Sequence, residues 1–236
     1  TGYGIKSNSG KSVGLLSHCD IYNCTSGIFG SILGRIEYSN IYNNTEYGID
    51  GRYSQIETIY ECTISDNKKR GITSGQGTLK KLLNSIIKNN GIGFDNQTGT
   101  TEIIRNCSFI DNEECAVYFN NATLDSISDC FLSGSKTAIK FERVSGYGNF
   151  TILENYIIGK DGKHADFKGY TIGVFISNMC GVVLENNIIS GNKSSGIAID
   201  QKPSVTIRNN FIGTNLSGDA LGNGVGVKLY DYVGGS

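Results

Sequence analysis

An all-β, single-stranded parallel β-helix of about nine to ten coils with a period near 23 residues is the fold that the sequence predicts, on three observations. The first is an internal echo: ECTISDN at 61–67 returns as NCSFIDN at 106–112, and further copies fall between and beyond them. The second is a set of apolar and Asn positions that recur at fixed offsets within each copy. The third is composition: 32 Gly, one Pro and no Trp, with Ile-rich segments broken every few residues by Asn or Gly. That composition favours many short strands joined by tight turns.

The copies run in order along the chain. HCDIYNC (18–24), YSNIYNN (38–44), ECTISDN (61–67) and NSIIKNN (84–90) are followed by NCSFIDN (106–112) and DCFLSGS (129–135). NYIIGKD (155–161), NNIISGN (186–192) and NNFIGTN (209–215) complete the series. With the second residue of each as the anchor, the steps are 20, 23, 23, 22, 23, 26, 31 and 23 residues. Three places before the anchor stand Ile36, Ile59, Leu82, Ile104, Ile127, Leu153, Leu184 and Ile207. Two places after it stand Ile21, Ile41, Ile64, Ile87, Phe109, Leu132, Ile158, Ile189 and Ile212. These read as inward positions on either side of a bend. The place just before the anchor holds Asn84, Asn106, Asp129, Asn155, Asn186 and Asn209, residues that tolerate the left-handed backbone of a sharp turn. Five places after it come Asn44, Asn67, Asn90, Asn112, Asn192 and Asn215, and a second apolar strand begins soon afterwards. A single coil cannot bury its own apolar face, so stacking makes the core. The whole of 1–236 reads as one such domain, with an insertion at 159–169 where the step lengthens to 31.

The totals exclude several classes. Net charge is −1 and the longest basic run is Lys68-Lys69-Arg70, so nothing marks a nucleic-acid partner. No apolar stretch approaches the roughly 18 residues of a membrane span, so direct membrane insertion is not expected. No signal-peptide pattern opens the chain. No Cys-x-x-Cys spacing or other metal motif occurs, and no cofactor is implied. The opening TGYGIKS is already repeat-like and VKLYDYVGGS stops just past a strand; neither resembles the helix that shields a β-helix end. The expectation is therefore either a piece of a longer coil or end-to-end self-association through open strand edges.

The repeat resembles the right-handed parallel β-helix family, whose members include pectate-lyase-like enzymes and many extracellular surface proteins. The likeness covers almost the whole chain. NNFIGTNLSGDALGNGVGV (209–227) also resembles a segment common in large secreted bacterial and archaeal β-helix proteins, and NYIIGKDGKHADFKGYTIGVF (155–175) resembles a looser copy of it. The resemblance implies a right-handed coil and an extracellular or cell-surface location. The catalytic sets of the family's enzymes are missing. His18 and His164 lack the glycine neighbours of the polygalacturonase-like set, and Pro203 has no accompanying Arg of the pectate-lyase kind. Asp-Pro-His-Glu, the epimerase pattern, is absent as well.

Seven cysteines leave at least one unpaired. Cys19, Cys62, Cys107 and Cys130 share the anchor file with Ser39 and Ser85, which predicts a buried ladder of free thiols acting as small filler. Cys107 and Cys130 are close enough for a bond, but their parallel Cβ vectors suit it poorly. Eight Asn-x-Ser/Thr sequons occur, of which Asn96, Asn121 and Asn149 read as loop sites able to carry glycan.

Two places could hold chemistry. Glu154 and Glu185 are expected in one file on neighbouring coils, at about the 5 Å carboxylate spacing of a retaining glycosidase. Arg208 follows in that file, and a surface ion pair with Glu185 is the plainer reading. The insertion 159–169 gathers Lys160, Asp161, Lys163, His164, Asp166 and Lys168, a set able to bind ligand or, through His164, to move a proton. Its plainer reading is a solvated protrusion. Tyr22 and Tyr42 stand in register as a cross-coil aromatic ladder or a sugar platform. Two functions follow. One is an extracellular structural or adhesive rod of a cell surface, sheath, filament or virion appendage. The other is a polysaccharide lyase or glycoside hydrolase, with polysaccharide as its partner.

Overall fold

In the computed structural model the described residues are 2–7, 12–30, 32–142, 149–158, 172–177, 181–201, 204–214, 220 and 222–230. They contain only strands and turns, arranged as three parallel sheets that run the length of the stack. The first sheet has ten strands, from Tyr3–Lys6 to Val225–Leu229. The second has nine, from Val13–Ser17 to Ser204–Arg208, and the third has nine, from Asp20–Tyr22 to Phe211–Ile212. Each strand pairs in parallel with its copy one coil away. In the third sheet Ile21, Ile41, Ile64, Ile87 and Phe109 form one vertical file, as the repeat predicts. The nine anchor residues enclose eight steps, so the solenoid makes about eight turns, slightly fewer than the nine to ten expected.

The files explain the core. Ile36, Ile59, Leu82, Ile104 and Ile127 are fully buried, and so are Ile41, Ile64, Ile87, Phe109 and Leu132 on the far side of the bend. Burying one such side chain contributes about 1.5–3 kcal/mol. In the core beside the first sheet Phe94 meets Phe119 edge to face at 5.6 Å, and Phe119 stacks on Phe141 at 5.5 Å. A glycine file runs within the strands of this sheet, through Gly48, Gly71 and Gly93. A Cβ on Gly48 would stand 2.5 Å from the carbonyl oxygen of Gly71 and 2.8 Å from both Ile64 Cγ2 and Asn67 Nδ2. Only Gly or the small Ala of Ala116 and Ala138 occupies this file.

Both corners flanking the third sheet are polar, and both use the left-handed backbone. One series of positive φ includes Glu61, Asn84, Asn106 and Asp129; the other includes Asn43, Asp66, Asn89 and Asp111. A buried side-chain ladder replaces backbone pairing where each strand bends. Asn44 Nδ2 donates to Asn67 Oδ1 at 2.8 Å, Asn67 Nδ2 to Asn90 Oδ1 at 3.0 Å, and Asn90 Nδ2 to Asn112 Oδ1 at 3.0 Å. Further along, Asn192 Nδ2 donates to Asn223 Oδ1 at 2.9 Å. Asn223 thus fills the place expected for Asn215, which lies outside the described residues. The anchor file forms the second ladder. The backbone N–H of Cys19 donates to Ser39 Oγ and that of Cys62 to Ser85 Oγ, each at 3.1 Å. Most buried polar groups in these bends find their partner on the neighbouring coil; the Ser135 hydroxyl, in the file of the Asn ladder, is buried without one.

The seventh copy is one residue out of the expected register. Cys130 N–H donates to Asn155 Oδ1 and Asn155 N–H to Asn187 Oδ1, each at 3.0 Å, so the anchor is Asn155 and not Tyr156. Ile152 and Ile157 therefore take the inward places expected for Leu153 and Ile158, opposite Ile127 and Leu132. An amide in the anchor place can both accept from one coil and donate to the other, which fixes the register. Among the described residues all six cysteines are free, and Cys62, Cys107 and Cys130 are buried in the anchor file. They are more than filler, because the thiols also donate: Cys62 Sγ lies 3.3 Å from the Tyr60 carbonyl oxygen and Cys130 Sγ 3.1 Å from that of Ser128.

Candidate functional site

Glu154 and Glu185 do not share a file. The register places Leu153 opposite Glu185, while Glu154 takes the corner with a left-handed φ of 54° and donates its backbone N–H to the Glu185 carbonyl at 3.2 Å. The expected pair of stacked carboxylates is thus absent, and the one-residue shift at Asn155 is the cause. Glu185 instead pairs with Arg208 at 2.7 Å, as the plainer reading has it. Lys160, Asp161, Lys163, His164, Asp166 and Lys168 lie outside the described residues. Asn96 is no glycan acceptor in the folded chain, since it is fully buried, donates to Thr101 Oγ1 at 3.0 Å and accepts from the Gly99 N–H at 2.9 Å. Asn121 is an exposed corner residue, and Asn149 opens the strand Asn149–Leu153. Tyr22 and Tyr42 stack at 5.0 Å and 14°, so their ring faces are turned to each other rather than to a sugar.

A different cluster stands on the outward face of the first sheet. Asp50, Thr73, Asp95, Tyr118 and Lys140 follow one another in register, one residue past the buried file of Ile49, Ile72, Phe94, Val117 and Ile139. Asp50 and Asp95 are only 2% and 1% exposed although they face outward. Long neighbours cover them. Arg52 holds Asp50 through Nε at 2.9 Å and Nη2 at 2.8 Å. Arg70 pairs with Asp95, and Gln97 Nε2 donates to Asp95 Oδ2 at 3.0 Å. Two coils apart, the two carboxylates stand on backbones separated by about 9.6 Å.

The surroundings are aromatic and charged. The guanidinium groups of Arg52 and Arg70 and the ammonium of Lys69 gather over the Tyr47 ring at 5.2, 5.8 and 5.8 Å. Lys69 also pairs with Glu46 at 2.6 Å. Further down, Tyr118 donates its hydroxyl to Glu142 Oε2 at 2.6 Å, and Lys140 meets Glu142 Oε1 at 2.8 Å. Burial raises the Asp95 carboxyl above the usual range, against the opposing pull of Arg70 and Gln97. Burial, and then the Glu142 acceptor, likewise pushes the Tyr118 phenol well up. Sequence reading misses this cluster because its members recur in no common residue type. The signal that finds it is the 22- or 23-residue spacing of Asp50, Thr73, Asp95, Tyr118 and Lys140.

No curated protein and no solved structure is similar enough to this chain to match. The family described as the right handed beta helix region matches residues 1–103 and 90–231, which together span nearly all of the sequence. With parallel strands, a period near 23 and three continuous sheets, the chain belongs to the right-handed β-helix family.

Proposed function

We propose that the protein is an extracellular structural and adhesive rod, whose job is to hold a lateral binding face rigid at a cell surface, sheath or appendage. The observation that carries this reading is the continuity of the side-chain files. Three sheets, two buried polar ladders and a stacked core keep every coil in register with the next. Such an assembly resists bending because each coil is bonded on both faces. Polysaccharide is the partner this reading gives to the rod's outward face. End-to-end stacking belongs to the same reading. Val227 and Leu229 continue inward files of the first sheet, yet are 41% and 71% exposed, a surface that suits another parallel coil. The test is adhesion of the full-length protein to polysaccharide-coated surfaces, together with light scattering across dilution. Retention on glycan with a persistent rod-like scattering profile is expected. A freely bending particle with no retention sinks the reading, and a strictly monomeric one removes the stacking.

A second reading, hydrolysis of polysaccharide, draws on Asp50 and Asp95. Asp50 and Asp95 stand two coils apart in one file, and the raised Asp95 carboxyl suits a general acid. Release of reducing ends that disappears in Asp95→Asn is the expected outcome of an assay. Unchanged release in that variant removes the cluster as a catalytic centre.

A further inference from the structure

We propose that Asn90 is a latent modification site: when its coil opens, the Asn90-Gly91 dipeptide closes to a succinimide, loses ammonia and leaves an Asp or isoaspartyl residue that the bend no longer accepts. Two demands of the fold meet at this one peptide bond. The ladder needs an amide at 90, because Asn90 Oδ1 accepts from the Asn67 N–H and from Asn67 Nδ2, each at 3.0 Å, while its Nδ2 donates to Asn112 Oδ1 at 3.0 Å. The next place has no room for a side chain. A Cβ on Gly91 would stand 2.3 Å from the Lys69 carbonyl oxygen and 3.0 Å from that of Lys68. Asn followed by Gly leaves the amide most open to attack by its own main chain, since glycine has no Cβ to shield the nitrogen. The chain has two such dipeptides, Asn90-Gly91 and Asn223-Gly224, and both are rungs of the Asn ladder. Gly224 is forced in the same way, with its Cβ place 2.2 Å from the Lys193 carbonyl oxygen.

The reaction needs no partner but water. The Gly91 nitrogen attacks Asn90 Cγ, the Cγ–Nδ2 bond breaks, and Nδ2 leaves as ammonia carrying the proton that the Gly91 nitrogen gives up. Water then opens the imide ring on one of its two sides. Cleavage between the Gly91 nitrogen and Cγ gives Asp. Cleavage between that nitrogen and the main-chain carbonyl carbon gives the isoaspartyl form, in which the chain runs on through Cβ and Cγ.

Three features of the folded chain withhold this step. Asn90 is only 2% exposed, so water and base are kept from its amide. Its Nδ2 is aimed at three acceptors, the Ile64 carbonyl at 3.1 Å, the Lys88 carbonyl at 2.9 Å and Asn112 Oδ1, and turning Cγ onto the Gly91 nitrogen breaks these bonds together. The strands on either side, Ile86–Lys88 and Ile92–Gln97, are each paired with the coil above and the coil below, which holds the backbone of the bend. A groove lined by Asp66, Lys68, Asn89, Gly91, Asp111 and Glu113 lies beside the bend, so water stands next to the amide once the coil opens. The converted residue does not close again. A carboxylate has no donor, yet the Ile64 and Lys88 carbonyls and Asn112 Oδ1 all present oxygen to it, and an unpaired charge is expelled from such a site. The isoaspartyl form also lengthens the main chain inside a bend whose register is fixed on both sides. Conversion thus records that a coil has opened and keeps it open.

The experiment keeps the full chain at mildly alkaline pH, either folded or in urea, while peptide mass spectrometry follows amide-to-acid conversion at Asn90. Conversion in the folded protein is expected to be more than about tenfold slower than in urea, because it waits on local opening. Partly converted protein is then diluted out of urea, and the folded fraction is separated by its resistance to protease. Intact Asn90 is expected in that fraction and the acid forms in the digested one. Asn90→Asp, which installs one product directly, should unfold at lower urea than the wild type, a measurement that does not depend on refolding. Conversion of the folded protein within about tenfold of the rate in urea overturns the gate. Equal shares of the acid forms in the two fractions, or equal urea midpoints for Asn90→Asp and the wild type, overturn the latch. No conversion at Asn90 even in urea overturns the site itself.

Discussion

Replacing Asn67 by Ala cuts the polar ladder at its middle. Asn67 is fully buried and its amide serves three coils. Oδ1 accepts from Asn44 N–H at 3.2 Å and from Asn44 Nδ2 at 2.8 Å, while Nδ2 donates to the Ile41 carbonyl at 3.2 Å and to Asn90 Oδ1 at 3.0 Å. Truncation leaves the Asn44 N–H, Asn44 Nδ2 and the Ile41 carbonyl without these partners, while Asn90 Oδ1 keeps the Asn67 backbone N–H at 3.0 Å; each lost partner costs about 1 kcal/mol or more when no water replaces it. The tight space beside Gly48, 2.8 Å from Asn67 Nδ2 to the place of a Cβ, opens into a small void that adds to the loss. The expected destabilisation is about 3–5 kcal/mol. Urea unfolding followed by far-ultraviolet circular dichroism measures it, and amide exchange shows where the coil opens. Exchange should speed up first around Asn44, Asn67 and Asn90. A loss below about 1 kcal/mol, or uniform exchange along the rod, would refute the idea that the ladder carries the bends.

Three further expectations follow from other contacts. Gly48→Val should cost more than about 3 kcal/mol because the Gly71 carbonyl is fixed backbone; Gly226→Ala, whose new Cβ would meet its nearest atom at 3.6 Å, should change stability little in the same unfolding assay. Burial holds the folded Asp95 carboxyl above its ordinary value, so its contribution is fully present below that ordinary value and is lost as pH rises through the raised one. Stability profiles from acid to neutral pH should fall over that window in the wild type and flatten in Asp95→Asn; parallel profiles would remove the assignment. Burial pushes the Cys62 thiol to about 11 and the Cys115 thiol to about 12, so a thiol reagent at neutral pH should label these two only as the chain unfolds. Rapid labelling of the native protein at Cys62 contradicts that burial.

The fold was legible wherever one file demands one residue type. Ile41, Ile64 and Ile87 recur because the inside of a bend accepts only an apolar side chain of that size, and Asn67 and Asn90 recur because only an amide both accepts and donates between coils. The reading slipped at Asn155, where the same residue suits two adjacent files. Asn is at home both in the left-handed corner and in the ladder beside it, and Glu154 is an uncommon occupant of the corner. That slip of one residue created the apparent pairing of Glu154 with Glu185. The outward cluster was hidden for the opposite reason. Asp50, Thr73 and Asp95 face outward, where nothing compels sameness from coil to coil, so the alignment of positions and not of letters brings them together.

The glycine file has an evolutionary meaning. Because a carbonyl of the next coil takes the place of the missing Cβ at Gly27, Gly48, Gly71, Gly93, Gly173 and Gly196, most turns offer their successor the same socket, as Gly48 does to Gly71 and Gly71 to Gly93. Turns are therefore interchangeable cassettes. A gene encoding such a chain can gain or lose whole units by unequal recombination without opening a seam, and the molecule changes length in increments of one strand width. It is a ruler whose graduations are set by chemistry at the bend, so that natural variants are expected to differ in reach while keeping the same cross-section.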